Sequence, residues 1–131
     1  MPEADLEADV EADLEADVFA RDCASRETLQ TVTGRWGVLA LAALAESNYR
    51  FGELRRRVDG VSERMLSQTL QALERDGLVS RTVLTTIPPK VEYGLTPLGE
   101  KVAGHLTGLI EFVESNMPEV LKAREHYTRT T

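Results

Sequence analysis

Cys23 is the one cysteine in 131 residues, and the two histidines, His105 and His126, lie far apart along the chain. One thiol cannot close an intramolecular disulfide, which agrees with a reducing compartment. Neither histidine has a second ligand at zinc-binding spacing, so neither a metal site nor a cofactor is expected. No apolar run approaches the roughly 20 residues that span a bilayer. The acidic start of the chain also lacks the features of a signal peptide. The expected location is the cytoplasm, with no membrane partner. Ser, His and Asp occur without a nucleophile-elbow motif, and there is no glycine-rich phosphate loop. No nucleophile, base and orienting group can be assembled, so no catalytic residue is assigned and no enzyme is expected. Aromatics are few, at 5%, which leaves a core built from Leu, Val and Ala. The length suits one domain with one core, or a small domain with tails.

A basic excess is also missing. The formal net charge is −7, but that charge is unevenly placed. Residues 1–20 hold Glu3, Asp5, Glu7, Asp9, Glu11, Asp13, Glu15 and Asp17 and no basic side chain. Without those eight of the 22 acids, 15 basic side chains face 14 acidic ones. Between Arg50 and Lys90 eight basic residues (Arg50, Arg55, Arg56, Arg57, Arg64, Arg75, Arg81, Lys90) oppose five acids (Glu53, Asp59, Glu63, Glu74, Asp76), a local balance of +3. Local charge, rather than the global isoelectric point, decides where phosphates bind.

The acidic segment, residues 1–20, is built on Glu-Ala-Asp followed by Leu or Val, written four times from Glu3 to Val18. Its apolar residues Leu6, Val10, Leu14 and Val18 recur every four residues, a seam that would drift by about 40° per repeat on a helix. Ala, Glu and Leu favour a helix, whereas a block of like charges favours a solvated segment. Three readings stay open: a frayed tail, a helix packed on a partner chain, or an acidic decoy for a DNA site.

Ala24–Ala45 reads as one long helix, with Leu29, Val32, Trp36, Leu39, Ala40 and Ala43 at three- and four-residue steps. Gly34 and Gly37 weaken it by roughly 1 kcal/mol each and permit close approach of another backbone. Arg50–Val58 is a short helix burying Phe51, Leu54 and Val58, and Asp59-Gly60 turns the chain. Ser62 is placed to cap a second helix by accepting from the backbone of Arg64 or Met65. That helix runs to Asp76, with Leu66, Leu70 and Leu73 facing the core, and Gly77 stops it. Leu78–Leu84 and Val91–Thr96 read as paired strands around a Pro88-Pro89 tip. Thr96 caps a last helix with Pro97 in its first turn and a broad stripe of Leu98, Val102, Leu106, Leu109, Ile110 and Val113. Pro118 is expected to break that helix, and Lys122–Thr131 to be a loose polar tail. The resulting division is an acidic tail (1–20), a central domain (21–117) and a C-terminal tail (118–131).

Helix, turn, helix and two-stranded wing is an order built to place one helix in a DNA groove. The fold class expected is mainly α with a small β wing. Opposite its core leucines the second helix of the pair offers Arg64, Ser67, Gln68 and Gln71. Arginine can bond bidentately to guanine and glutamine to adenine in the major groove. These four are the candidate base readers, with Arg64, Ser67 and Gln68 entering deepest; an ordinary polar helix surface is the alternative. Arg50, Arg55 and Arg56, the cap residue Ser62, Arg81 on the wing strand and Lys90 at its tip are the candidate backbone or wing contacts. Consecutive helical residues point about 100° apart, so not all of Arg50, Arg55, Arg56 and Arg57 can face DNA, and some are expected to be solvated or paired with Glu53. For Lys90 an ordinary exposed loop lysine remains as good a reading. Cys23 precedes a helix N-terminus, where dipole and unsatisfied amides favour a thiolate; Arg21 and Arg26 would add to this and Asp22 oppose it. A buried inert thiol is the alternative.

These residues resemble one family closely, the HxlR-type winged helix-turn-helix regulators related to the MarR group. The resemblance is carried by Cys23, Gly34-Arg35-Trp36, Arg50-Phe51-Gly52-Glu53-Leu54, Gly60-Val61-Ser62-Glu63-Arg64-Met65-Leu66 and Leu73-Glu74-Arg75-Asp76-Gly77-Leu78-Val79. Pro88-Pro89-Lys90-Val91-Glu92-Tyr93 and Leu95-Thr96-Pro97-Leu98-Gly99 complete it, and it covers about residues 23–115. It implies a homodimer held through the first long helix and the C-terminal helix, bound to double-stranded DNA at a palindromic operator and acting as a repressor. It also gives Cys23 a sharper meaning, since some members sense electrophiles or oxidants through a cysteine at this position. Ala24 stands where the family often has proline, and Thr33 where it often has glycine. The resemblance names no small-molecule effector. A different reading is a protein-interaction module, in which a winged-helix dimer is a scaffold and the acidic tail binds a basic partner or masks the chain's own DNA surface.

Overall fold

A computed structural model describes residues 17–130. Among these residues six helices and a three-stranded antiparallel sheet follow one another as α1 (Ala24–Thr33), α2 (Arg35–Glu46), β1 (Tyr49–Arg50), α3 (Phe51–Arg57), α4 (Glu63–Arg75), β2 (Val79–Thr86), β3 (Pro89–Leu95), α5 (Pro97–Ser115) and α6 (Met117–Thr130). The fold is mainly α with a small β wing, as the sequence implies. The acidic repeat lies outside the described residues except for its end at Asp17 and Val18. Among the described residues no helix is long and apolar enough to cross a membrane.

The long helix expected over Ala24–Ala45 is two helices. Thr31, Val32 and Thr33 are β-branched, and the Thr31 and Thr33 hydroxyls donate back to the Glu27 and Leu29 carbonyls at 3.2 and 2.6 Å. Both features weaken helix continuation. Gly34 then takes an extended conformation (φ −63°, ψ 160°) and serves as C-cap of α1 and N-cap of α2. At Gly37 a Cβ would run into the Thr31 carbonyl oxygen, so α2 starts hard against the end of α1. The break also turns the buried face. Leu41 and Leu44, absent from the expected stripe, are buried, while Leu29 and Leu39 are exposed.

The core gathers Val32, Leu41 and Leu44 with Leu54 and Val58 of α3, Leu66, Leu70 and Leu73 of α4, Leu78 and Val79 of β2, and Ala103 and Leu106 of α5. Leu41, Leu54, Leu66 and Leu73 are completely enclosed. Each such leucine contributes about 1.5–3 kcal/mol relative to an exposed one, and together they fix α3 and α4 as one unit. The sheet order is β1-β3-β2. β3 pairs Tyr93 with both Tyr49 and Arg81, and the hairpin runs from Val79↔Leu95 out to Thr86↔Pro89 with an irregularity between Val83 and Thr85. β1 was not expected from its sequence; two residues leave no alternation to read.

Thr96 joins the end of α4 and the wing to the last helices. Its hydroxyl donates to the Gly77 carbonyl (2.6 Å) and accepts from the Gly99 N–H (3.0 Å), while its own N–H bonds the Leu78 carbonyl (3.1 Å). α5 ends at Asn116, and Pro118 falls in the first turn of α6, where its missing N–H costs nothing. The chain therefore breaks near Pro118 as expected, but the tail beyond it is helical, not loose. No residue of α6 is buried.

Candidate nucleic-acid interface

The turn between α3 and α4 is shaped by Gly60, whose φ of 91° suits glycine best. Ser62 is the N-cap of α4: its Oγ accepts from the Met65 N–H at 3.1 Å. Gly77, with φ 75°, releases the chain at the other end. The 13 residues between are amphipathic, with Leu66, Leu70 and Leu73 buried and Arg64, Gln68 and Gln71 exposed. Ser67 is half-buried beside them, and Gln71 Nε2 donates to its Oγ across 3.5 Å, a weak tether.

The arginines of α3 separate into three environments. Arg57 turns back to α2 and grips both oxygens of Glu46 at 2.8 Å. That hydrogen-bonded pair holds the Glu46 carboxyl below, and the Arg57 guanidinium above, their ordinary pKa values. Arg55 spans the turn, with Nε donating to the Val61 carbonyl (3.3 Å) and Nη1 3.6 Å from Glu63. Arg56 is exposed and has no ion pair among the described residues. Glu53, expected to pair with one of them, instead accepts from the Arg50 backbone N–H at 3.0 Å. Arg55 and Arg56 line an open cleft with Phe51, Gly52, Gly60, Val61, Ser62 and Glu63 at the N-terminus of α4. Two guanidiniums beside the positive end of a helix dipole make a place that favours an anion.

The wing carries Arg81, exposed on β2, and Lys90, half-buried on β3 opposite Thr85. Arg50 lies on β1 opposite Glu92 and is exposed. The side chains of Arg64, Arg50, Arg56, Arg81 and Lys90 have no ion pair among the described residues. Arg75, at the far end of α4, is held by Glu27 of α1 (2.8 Å) and by Asp76 (3.3 Å). The sequence reading did not single out Arg35 for this surface. It stacks over Trp36 at 5.1 Å, and both line a shallow groove with Gly34, Met65 and Gln68. The closely spaced Gly34 and Gly37 were the sequence signal for that approach.

Cys23 is the N-cap of α1 and 7% exposed. Its Sγ lies 2.8 Å from the Ser25 hydroxyl. That hydrogen bond lowers the thiol pKa below its ordinary value, helped by the Arg26 and Ser25 backbone N–H groups; burial and the Asp17 charge act against it. The expected help from the Arg26 guanidinium is absent, because that group donates to the Phe19 carbonyl at 3.1 Å. The opposing acid is Asp17, not Asp22. Among the described residues no group of three or more His, Cys, Asp and Glu is placed to hold a metal ion.

The sequence matches the HxlR-like helix-turn-helix family over residues 31–121. It is 54% identical over 108 residues to the HTH-type transcriptional regulator YtfH of Escherichia coli (strain K12), covering 82% of this chain and 86% of the relative. Among solved structures, the transcriptional regulator YtfH of Salmonella typhimurium superposes with a TM-score of 0.80 at 52% identity, over 85% of this chain and 99% of the other. The redox regulator HypR in its reduced form is similar at TM-score 0.67 and 35% identity, over 76% of this chain and 97% of the other.

Proposed function

The chain belongs to the HxlR-like helix-turn-helix family of transcriptional regulators, and we propose that it acts as a homodimer that represses its target by reading a palindromic operator. In this reading Arg64, Ser67, Gln68 and Gln71 of α4 meet base edges in the major groove. Arg55, Arg56 and the capped turn at Ser62 take one phosphate, and Arg50, Arg81 and Lys90 take the flanking backbone or the minor groove. The carrying observation is the pairing of an unobstructed polar face on α4 with an arginine-lined cleft at the same helix's N-terminus. Phosphate contacts fix register while base contacts carry sequence, and the side chains proposed for the two lie side by side on α3 and α4.

Dimerisation is supported by apolar surface that this chain leaves uncovered. Leu109, Phe112 and Val113 of α5 are 56%, 68% and 46% exposed, and Leu121 of α6, Leu39 of α2 and Leu29 of α1 are exposed as well. Exposed apolar side chains grouped on one helix, as Leu109, Phe112 and Val113 are on α5, favour an interface, and two recognition helices related by a two-fold axis match a palindrome. Redox responsiveness through Cys23 is supported by its lowered thiol pKa and by similarity to a redox regulator. α1, which Cys23 caps, is tied to the end of α4 through Glu27 and Arg75.

The deciding experiment is a fluorescence-anisotropy titration of the protein on DNA from upstream of its own gene, with a scrambled duplex as control, at several salt concentrations. The expected result is affinity for the native sequence at least about 10³-fold above the scrambled one. Equal affinity for both with a steep salt slope would reduce the reading to phosphate attraction. No binding to either would favour the interaction-module reading.

A further inference from the structure

We propose that Arg35, held over the Trp36 ring, takes a DNA phosphate on the flank of α4 opposite the Arg55–Arg56 cleft; this rests on the proposed function of α4 and adds a contact to it. A helix in the major groove lies between two sugar–phosphate backbones, so a cation on each side fixes its register. The cleft lined by Arg55 and Arg56 serves one side. Glu63, which borders that cleft, and Met65, which borders the groove beside Arg35, point about 200° apart on α4. The two cationic sites therefore flank the polar face that carries Arg64 and Gln68. On the second flank the other cations are engaged. α1 and α2 carry two between them, and Arg26 of α1 donates to the Phe19 carbonyl at 3.1 Å. Arg75, at the far end of α4, is held by Glu27 and Asp76. Arg35 is exposed and has no ion pair among the described residues.

Exposed as it is, the Arg35 side chain is placed. Its guanidinium carbon lies 5.1 Å from the centroid of the Trp36 ring, a cation–π arrangement that restrains the arginine and leaves its N–H donors open to an anion. Trp36 is half-buried and packs against the core. Its ring edge lies 3.9 Å from where a Cβ on Gly60 would stand, so the platform adjoins the turn that leads into α4. An arginine restrained before DNA arrives loses less side-chain freedom on binding. The groove under it matches its occupant. Trp36, Met65 and Ala72 give it apolar walls, and Arg35 gives it one charge. A sugar–phosphate backbone has the same division, with uncharged deoxyribose edges and a phosphate at each step.

The test titrates full-length Arg35→Ala and Arg35→Lys proteins onto the duplex from upstream of the protein's own gene and onto the scrambled duplex. Neither substitution touches the core, so helical circular dichroism should match wild type. Loss of one phosphate contact in each half-site should weaken both duplexes about five- to tenfold at roughly 0.1 M salt, a gap that closes toward about 1 M. The salt slope should fall by about 1 for each half-site bound, and Arg35→Lys, which keeps the charge, should restore it. Methylphosphonate replacement of single phosphates then locates the contact. One neutralised phosphate, on the strand opposite the position lost in Arg56→Ala, should weaken wild type and leave Arg35→Ala unaffected. Lys101→Ala, an exposed substitution on α5, controls for the general loss of a charge. An unchanged slope in Arg35→Ala, an equal loss in Lys101→Ala, or sensitivity of Arg35→Ala to every phosphate that matters to wild type would each overturn the proposal. A loss confined to Arg56→Ala would do so while leaving the DNA reading standing. No binding of either duplex by the wild-type chain would sink that reading and this contact together.

Discussion

Gln68 and Arg56 sit within one turn-helix unit yet should fail in different ways. Gln68 is exposed on the polar face of α4, away from Leu66 and Leu70, so Gln68→Ala removes hydrogen-bonding capacity without opening the core. The expected cost is roughly 1–3 kcal/mol at one or two operator positions, with discrimination relaxed there. Arg56→Ala should weaken native and scrambled duplexes alike and reduce the salt slope by about 1. Titrations against single-base operator variants separate the two, and an unchanged sequence preference in Gln68→Ala would remove that residue from the reading set. Cys23 depends on a neighbour in a comparable way. Its thiolate is favoured first by the Ser25 hydroxyl, so Ser25→Ala should move the midpoint of alkylation against pH upward. Because the folded pKa lies below the ordinary thiol value, the thiolate's stabilising contribution is present above that ordinary value and is lost as pH falls through the folded one. Ser25→Ala should shrink this pH-dependent part. Under peroxide, wild-type binding should fall while Cys23→Ser protein keeps its affinity; equal loss in both would exclude Cys23 as the sensor.

Thr96 sits where α4's exit, the wing and α5 meet, so the elements are coupled through one side chain. Its hydroxyl serves the Gly77 carbonyl and the Gly99 N–H together, and a Cβ on Gly99 would meet the Leu78 carbonyl oxygen. Thr96→Ala should cost about 1–2 kcal/mol of stability, measured by urea unfolding, and Gly99→Ala should cost more because backbone has to move. A Thr96→Ala protein as stable as wild type would mean that water replaces both bonds. The same elements mark how far sequence reasoning reached. α3, α4, their turn, the Ser62 and Thr96 caps and the wing were legible because each has a local signature: a leucine stripe, a capping hydroxyl, a glycine at positive φ. The break at Gly34 was hidden because apolar residues recur at helical spacing on both sides of it, whereas the back-bonding of the Thr31 and Thr33 hydroxyls and the packing of Gly37 on Thr31 show only in the fold. α6 was missed because its outward face is polar and nothing in the sequence says what it packs against. Arg55, Arg56 and Arg57 could be counted from the sequence but not sorted. Their division rests on Glu63, which is close in sequence, and on Glu46, which is brought near by the fold.

At the scale of the whole molecule the reading helix can address one half-site, and a palindrome needs two at fixed spacing. The apolar surface that could set that spacing lies on α5 and α6, on elements that do not carry the reading face, with Leu109, Phe112 and Val113 exposed on one helix. Phe112 fills no part of this chain's core, so Phe112→Glu should leave the fold and its helical circular dichroism intact. At the proposed two-fold interface two buried carboxylates would carry a large desolvation cost, so on this proposal the variant should sediment as a monomer at concentrations where the wild type dimerises. A monomer loses the avidity of two linked half-sites, so operator affinity should fall by about 10²-fold or more, while binding of an isolated half-site should change little. That contrast separates an interface residue from a misfolding one, since a misfolded protein would lose both. Should Phe112→Glu remain dimeric and bind its operator normally, the two-fold contact has to be moved to other exposed apolar side chains, such as Leu29 of α1 and Leu39 of α2.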